Sequence, residues 1–415
     1  MTDPYPVRPI TPDEFDAYAL VTQHAFNESP IPDSDRSRVM SLFEWDRTLA
    51  AFDPELGRPA GITMVYSFQL TVPGAALPAA GVTWVAVLPS HRRRGILTSL
   101  MRRQLSDVAA RGEPLAILWA SEAGIYGRYG YGRASWHLTF DVRRGEGVLA
   151  SPAPSAGLRT RLIPPADARP ELAKVYDLVL QSRPGLFARN AAWWDRRLHD
   201  PENRRNGATP LRCLLAEDDQ GTRGYALYSG TGNWDDSTFL PDTTLNVREL
   251  IAADPAASAT LWKDLLSRDL VTSLTAALRP ADDPLLYQLA DPRRARPTLA
   301  DGLWVRLVDI PAALSGRRYA CPVDVVIEVD DSLLPDNAGR WRLRAGSDGA
   351  AVCERTPDPA DLSLDIASLG AAYLGGTRLS GPAGAGLVTE HRPGAIRDLS
   401  TAMSWDPAPW CPIIF

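Results

Sequence analysis

Residues 81–132 read GVTWVAVLPSHRRRGILTSLMRRQLSDVAARGEPLAILWASEAGIYGRYGYG, and the fold is decided there. An apolar strand carrying Val82, Trp84, Val85 and Val87 runs into the polar turn Pro89-Ser90-His91, then three arginines and a glycine. Leu97, Leu100, Met101, Leu105 and Val108 follow at helical spacing on one face, which predicts a helix that Gly112 and Pro114 end. The apolar run Leu115 to Ala120 predicts a buried strand, and it empties into a segment rich in glycine and tyrosine, Gly124 to Gly132. A strand, a basic glycine turn, a helix and a second strand suit an anionic group held at a helix N-terminus. The first N–H groups of a helix lack internal partners and lie at the positive end of its dipole. Gly95 lets backbone approach a ligand, and Arg92, Arg93 and Arg94 offer forked donors for phosphate oxygens, so a pyrophosphate fits. A solvated basic turn capping a surface helix is the alternative. The turn is neither a Walker loop, since Gly-Lys-Ser/Thr is missing, nor a dinucleotide fingerprint, since it has one glycine.

The run Arg92-Arg93-Arg94-Gly95-Ile96-Leu97 resembles the acetyl-CoA pyrophosphate loop of the GNAT acetyltransferases, Arg/Gln-x-x-Gly-x-Gly/Ala, and departs from it at Leu97. That departure resembles one branch, the enhanced intracellular survival (Eis) acetyltransferases of actinobacteria. The segments VAVLPSHRRRGIL (85–97) and ASEAGIYGRYGYG (120–132) are similar to theirs. The resemblance is dense over residues 61–135 and collinear over the rest. It implies a mixed α+β and α/β fold: tandem GNAT-like domains followed by a sterol-carrier-protein-like α+β domain. The boundaries expected are 1–145 for a catalytic GNAT domain, 146–300 for a degenerate GNAT-like domain and 301–415 for a sterol-carrier-like domain whose C-terminus reaches the active site. It also implies a homohexamer.

The composition agrees with ordinary globular domains: 45% of the 415 residues are hydrophobic and 23% are charged. A net charge of −6 argues against general nucleic-acid binding and leaves room for a small cationic amine substrate. Cys213, Cys321, Cys353 and Cys411 are scattered without ligand spacing, which points to a reduced cytoplasm and no metal site. The start Met1-Thr2-Asp3-Pro4 lacks a signal-peptide pattern, and no apolar run is long enough to span a bilayer.

Along the chain, Thr11-Pro12-Asp13-Glu14 predicts a capped helix running to about Phe26, and a second helix is expected over Ser34 to Leu49. Strands are expected at Gly61 to Leu70, Gly81 to Val87 and Trp136 to Val142, with a boundary in the Gly145 to Gly157 loop. The next part repeats the order: helices at Pro170 to Gln181 and Asn190 to Leu198, and a hairpin across Asp218 to Gly221. A strand at Leu245 to Ile251, a helix at Pro255 to Ser267 and a strand at Leu270 to Leu274 complete it. Its strand-to-helix join, Ala252-Ala253-Asp254-Pro255, has no arginine and no glycine, and Asp254 is the wrong charge for a phosphate. Beyond Pro297 the run Leu303 to Ile310 predicts a strand. Further strands are expected at Val323, Arg340, Ala351 and Asp361, and helices at Ile366 to Leu374 and Gly394 to Met403.

Acetyl transfer to an amine poses two proton problems. An alkylamine with a pKa near ~10.4 arrives protonated, and a thiolate whose acid has a pKa near ~8.5 must be protonated as it leaves. Tyr126, just after the second strand, is placed for the acid, and the match to the Eis segment implies that role; otherwise Tyr126, Tyr129 and Tyr131 are packing aromatics. The strand from Thr83 to Leu88 carries no carboxylate, so a base must come from elsewhere. The tail, Trp405 to Phe415, carries two tryptophans and ends Ile-Ile-Phe, so it is expected to dock into a cleft. The resemblance implies that the α-carboxylate of Phe415 is the base; a tail plugging an interface is the other account. Acetyl-CoA, the implied cosubstrate, is expected on the backbone of Val85, Ala86 and Val87 and on the loop Arg92, Arg93, Arg94, Gly95, Ile96, Leu97 and Thr98. Ser121 and Glu122 line its other side. Trp84 faces either the acceptor or the core.

The function expected is an acetyl-CoA-dependent N-acetyltransferase acting on primary amines of cationic acceptors such as aminoglycosides, by direct attack in a ternary complex. The rivals are a protein-lysine acetyltransferase regulator and a lipid- or sterol-binding protein with a vestigial transferase domain.

Overall fold

A computed structural model describes residues 4–150, 157–234 and 236–415. The start Met1 to Asp3 and residues 151–156 of the expected boundary loop lie outside the described residues. The described residues divide into two compact units: those within 4–134, 303–405 and 414–415 form one, and those within 135–302 and 406–413 the other.

The first unit is built on a seven-stranded sheet in the order Val7–Pro9, Thr48–Asp53, Arg58–Val72, Ala75–Val87, Leu115–Trp119, Leu303–Leu307, Gly132–Arg133. Pro73 and Gly74 join the third and fourth of these in a tight hairpin rather than a longer loop. The Ala75–Val87 and Leu115–Trp119 strands run parallel and pair only at Ala79–Gly81 with Leu115–Ile117. Beyond Gly81 they part, so Val82–Val87 keep a backbone edge that bonds to no strand on that side. On the other side the register slips between Ile62 and Met64, because Trp84 and Val85 bulge out opposite Thr63. Trp84 takes φ 53°, a left-handed conformation that non-glycine residues adopt at a cost.

The helix Ile96–Ala110 buries Ile96, Leu100, Met101, Leu105 and Val108 against one sheet face. On the N-terminal side, Pro12–Glu14 forms a 3-10 turn leading into the helix Phe15–Phe26, and the Glu14 carboxylate accepts the Thr11 N–H at 3.0 Å. The helix expected over Ser34 to Leu49 is corrected: it ends at Met40, and Thr48–Asp53 is a strand buried at every position. Leu-Ala-Ala-Phe favours a helix in isolation, but two flanking strands claim its backbone.

A second correction concerns Leu303–Leu307. It is a strand, but it lies in the first sheet between Leu115–Trp119 and Gly132–Arg133. The sheet that follows it in sequence is five-stranded, Ala351–Arg355, Gly339–Ala345, Val323–Asp330, Leu362–Asp365, Val388–Glu390, and includes an unexpected last strand. Arg317 fills the interior beside this sheet. Its guanidinium is 1% exposed and donates to the Met403 carbonyl at 2.7 Å and to the Tyr373 carbonyl, at the C-terminal ends of two helices whose dipoles stabilise it.

The second unit has its own seven-stranded sheet: Thr298–Asp301, Trp136–Arg143, Ser273–Pro280, Pro241–Ala252, Gly221–Trp234, Arg212–Asp218, Arg159–Ile163. The expected helices and hairpin are present, the first helix being longer, Pro165–Leu180. The strand expected at Leu270 to Leu274 is corrected to Ser273–Pro280, because Leu270 itself takes φ 61°.

Candidate active site

The parting of two parallel strands and the turn before the Ile96–Ala110 helix open onto one cleft of about 660 Å³. Every residue expected at the cofactor lines it except Arg94. Val85, Ala86 and Val87 supply its open strand edge, and Ser121 and Glu122 its opposite wall. Gly95 caps the helix with φ 84°, and no side chain bonds to the first turn. No atom lies within 4 Å of where a Gly95 Cβ would stand, so the glycine is there for its backbone angle, not for room. Arg93 shares the strained left-handed geometry at φ 63°. The result is a bare helix N-terminus, free of acidic residues in its first turn, with Arg92 and Arg93 beside it.

Arg94 turns away, and its guanidinium donates to the Tyr5 hydroxyl at 3.0 Å. Behind the loop His91 Nε2 lies 2.8 Å from Asp53 Oδ2, and the His91 bond holds the Asp53 carboxyl below its usual range. Ser90 Oγ bonds the other ring nitrogen at 2.9 Å. His91, Arg128 and the helix end Ala25-Phe26 also line the cleft and were missed by the sequence reading. His91 adjoins the basic turn and Arg128 lies in the glycine-tyrosine segment, so their place in the sequence was a usable signal, whereas only folding brings Phe26 there.

Tyr126 stands in the short helix Ala123–Tyr126 and is 4% exposed. Burial pushes its phenol above the ordinary tyrosine range; a hydrogen bond with Ser121 opposes this and the Glu122 charge adds to it. The phenol is therefore protonated near neutral pH and can give a proton. Tyr131 packs edge-on to it with ring centroids 6.2 Å apart, and Thr98 Oγ1 lies 3.3 Å from the Tyr129 hydroxyl. Trp84 packs between Tyr18 and Phe43, with centroids 5.8 and 5.2 Å away, and is half-buried.

Residues 6–134 match the acetyltransferase (GNAT) domain family, residues 185–307 a second acetyltransferase (GNAT) family, and residues 310–412 the sterol carrier protein domain. An uncharacterised N-acetyltransferase of Streptomyces coelicolor is 43% identical over 403 residues, 96% of this chain and 97% of its own. The N-acetyltransferase Eis of Mycobacterium tuberculosis is 36% identical over 354 residues, 83% of each chain. The crystal structure of Eis1 from Mycobacterium abscessus matches with a TM-score of 0.83 at 35% identity, covering 99% of this chain and all of the other. The chain belongs to the Eis family of GNAT N-acetyltransferases.

GNAT acetyltransferases use acetyl-CoA. In this Eis-family chain the two GNAT halves differ at the helix that would meet a pyrophosphate. At the N-terminus of Pro255–Leu266 the Asp254 carboxylate accepts the Ala257 N–H at 2.9 Å and pairs with Arg223 at 3.0 Å. A carboxylate already fills the anion position there. Among the described residues no group of three or more His, Cys, Asp or Glu side chains is placed to hold a metal ion, and no helix is long and apolar enough to cross a membrane.

The tail of this Eis-type chain is buried at Trp410, Cys411, Ile413 and Phe415. Within the second unit Trp410 donates its backbone N–H to the Pro184 carbonyl at 2.8 Å and its indole N–H to the Leu278 carbonyl. Within the first unit the Phe415 ring meets Phe68 at 5.0 Å, edge to face. Phe68 in turn covers Gly81, the last residue before the strands part; a Cβ there would come within 2.1 Å of its ring. Val65 packs with Tyr126 in the core beneath the Ile96–Ala110 helix. Phe68, an odd number of residues further along the same strand, faces the other side of the sheet. Phe415 is not among the residues lining the 660 Å³ cleft.

Proposed function

We propose that this protein transfers the acetyl group of acetyl-CoA to primary amines of small cationic acceptors, aminoglycosides among them. The observation that carries the reading is the cleft itself, which joins a bare helix N-terminus with two arginines to a protonated, buried tyrosine. The turn residues and the open strand edge fit a cofactor bearing a pyrophosphate and an amide-containing arm. The ammonium first gives one proton to bulk water, and the free amine attacks the thioester carbonyl, forming the C–N bond. As the C–S bond breaks, the Phe415 α-carboxylate takes the second proton from the nitrogen and Tyr126 gives its proton to the departing sulfur; exchange with bulk water then restores both groups, and one proton is released per turnover. Phe415 is seated on Phe68, on the sheet face opposite Tyr126, so the base role requires its carboxylate to meet the amine through the gap where the strands part.

Residues 1–145 then act as the catalytic part, 146–300 as a GNAT copy whose anion position Asp254 fills, and 301–415 as the sterol-carrier-like part. Arg317, buried in that last part and bonded to the Tyr373 and Met403 carbonyls, places one charged group among otherwise apolar packing. A homohexamer in the cytoplasm completes the proposal.

The test is CoA release from acetyl-CoA with a panel of aminoglycosides and lysine peptides, using protein with a free, untagged C-terminus. Turnover is expected with cationic amines and is expected to fall about 100-fold or more in Tyr126→Phe and on removal of Phe415, with the fold intact by circular dichroism. No turnover across the panel despite acetyl-CoA binding would overturn the acceptor assignment. Turnover of lysine peptides alone would favour a protein-modifying role.

A further inference from the structure

We propose that the sterol-carrier-like part positions Tyr126, through a buried ion pair between Arg306 and Asp331 and through the helix Ile366–Ala372 seated on Gly130 and Gly132. This rests on the reading of Tyr126 as the acid.

The glycine-tyrosine segment is short and has little of its own to hold it. The Tyr131 N–H donates to the Tyr126 carbonyl at 3.2 Å, and the two rings meet edge-on, so wherever residues 130–132 sit, Tyr126 follows. Those residues are held from below by later sequence. Gly130 has φ 80°, and a Cβ on it would come within 2.7 Å of the Ile366 Cγ2 and 2.8 Å of the Arg306 Nε. A Cβ on Gly132 would lie 1.9 Å from the Ala367 carbonyl oxygen, and one on Gly370 would lie 2.3 Å from the Val305 carbonyl oxygen. Helix and segment thus meet backbone to backbone, with glycine on both sides of the seam. Such a seam transmits sub-ångström displacements because nothing in it can fold away.

Arg306 is fully buried at 0% exposure, and its guanidinium pairs with both Asp331 oxygens at 2.8 and 2.6 Å. Asp331 also accepts the Leu333 and Leu334 N–H groups and the Asn337 amide. Asn337 returns donors to the Leu307 and Val308 carbonyls, closing the network. Leu333 and Leu334 then pack into the same apolar cluster as Tyr126, Tyr129 and Tyr131. A buried ion pair of this kind is a poor source of stability and a good source of fixed geometry. The cofactor turn meets the same cluster through Leu97 and through Thr98 Oγ1, which lies 3.3 Å from the Tyr129 hydroxyl, but it makes no bond to Arg306, Asp331 or Asn337, so changes at that network act on acid placement ahead of cofactor binding.

Two variants test this in the intact chain. Arg306→Lys keeps the charge but loses the planar fork, in which Nη2 holds both Asp331 oxygens while Nη1 holds the Leu307 carbonyl at 3.1 Å. Ile366→Ala leaves the ion pair intact and opens space beneath Gly130. For each, kcat with acetyl-CoA and a cationic amine is expected to fall about 10- to 100-fold, the cost of misplacing a reacting group by about 1 Å. Acetyl-CoA affinity, measured by calorimetry, is expected to stay within about threefold. The high-pH limb of kcat is expected to move down, as loosened packing admits water to the phenol. In the Tyr126→Phe background the same changes are expected to cost nothing further, because a positioning residue acts only through the group it positions.

Equal losses in both backgrounds would overturn the proposal, as would wild-type kcat in both single variants while Tyr126→Phe is slow. Wild-type kcat in Tyr126→Phe itself would remove the acid reading and this proposal together.

Discussion

Arg92, Arg93 and Arg94 are indistinguishable as a sequence, yet the fold sends them to different tasks. The first two line the cleft, and the third is spent on Tyr5, 89 residues away in the chain. A charge-assisted contact to phosphate contributes about 1.5–3 kcal/mol. Arg92→Ala and Arg93→Ala are therefore expected to raise the KM for acetyl-CoA about 10- to 100-fold, and Arg94→Ala by less than about threefold. Steady-state kinetics at saturating acceptor measures all three; equal effects would mean that Arg94 swings back into the cleft. The triplet was legible as a basic turn before a helix because its charge is local. Its division of labour was not, because a side chain's partner is set by tertiary contact. Tyr126 adds a pH signature. Burial raises its pKa, so its proton is retained to higher pH than usual, and the fall in kcat on the alkaline side is expected above the ordinary tyrosine range. A fall at lower pH that persists in Tyr126→Phe would assign it to another group.

At the scale of elements, the reading succeeded where one face of a helix or a hairpin carried the signal and failed where the environment overrode it. Thr48–Asp53 is buried at all six positions between two strands, so no alternation betrays it. The bulge at Trp84 and Val85 left no trace in the hydrophobic pattern either, although it sets the cleft's edge. The second unit holds a comparable hidden element. Glu249, on the Pro241–Ala252 strand, is fully buried between Arg189 and Arg197 and accepts the Tyr225 hydroxyl at 2.8 Å. Burial alone would raise its pKa, but the two guanidiniums outweigh it and hold it at about 2. A folded pKa below the unfolded value of 4.5 means stability that is complete above pH 4.5 and is lost as pH falls toward 2. Glu249→Gln leaves two buried cations without their anion and is expected to cost about 3–5 kcal/mol. Urea denaturation at pH 7 reads that loss. The same titration repeated down to pH 3 should show a shallower acid dependence in the variant. A variant as stable as wild type would mean that Arg189 and Arg197 find other partners.

At the scale of the whole molecule, the sequence order and the sheet order disagree, and the disagreement limits how the protein can be cut. Trp136–Arg143 follows the first GNAT segment but lies in the second sheet, while Leu303–Leu307 ends the second segment and lies in the first. Both were readable as strands; neither destination was, since pairing across so long a stretch of chain leaves no local mark. Without Leu303–Leu307, the Leu115–Trp119 strand loses five paired residues and presents a bare apolar edge, and Gly132–Arg133 loses its only strand partner in the first sheet. The fragment 1–145 is therefore expected to aggregate or to melt without cooperativity, although it contains every residue that lines the cleft. The Ala134 N–H donates to the Leu303 carbonyl at 3.0 Å, so the two chain passages are adjacent and can be rejoined. A chain with residues 4–134 linked through a short glycine bridge to residues 303–405 restores the missing strand, the Arg306–Asp331 pair and the seam beneath Gly130. It is expected to melt cooperatively and to bind acetyl-CoA, yet to turn over slowly because it lacks Phe415. Circular dichroism melts and calorimetry with acetyl-CoA separate the two fragments. A cooperative, acetyl-CoA-binding 1–145 would show that the exchanged strand is dispensable to the catalytic sheet, and would leave the later sequence with no hold on Tyr126 beyond proximity.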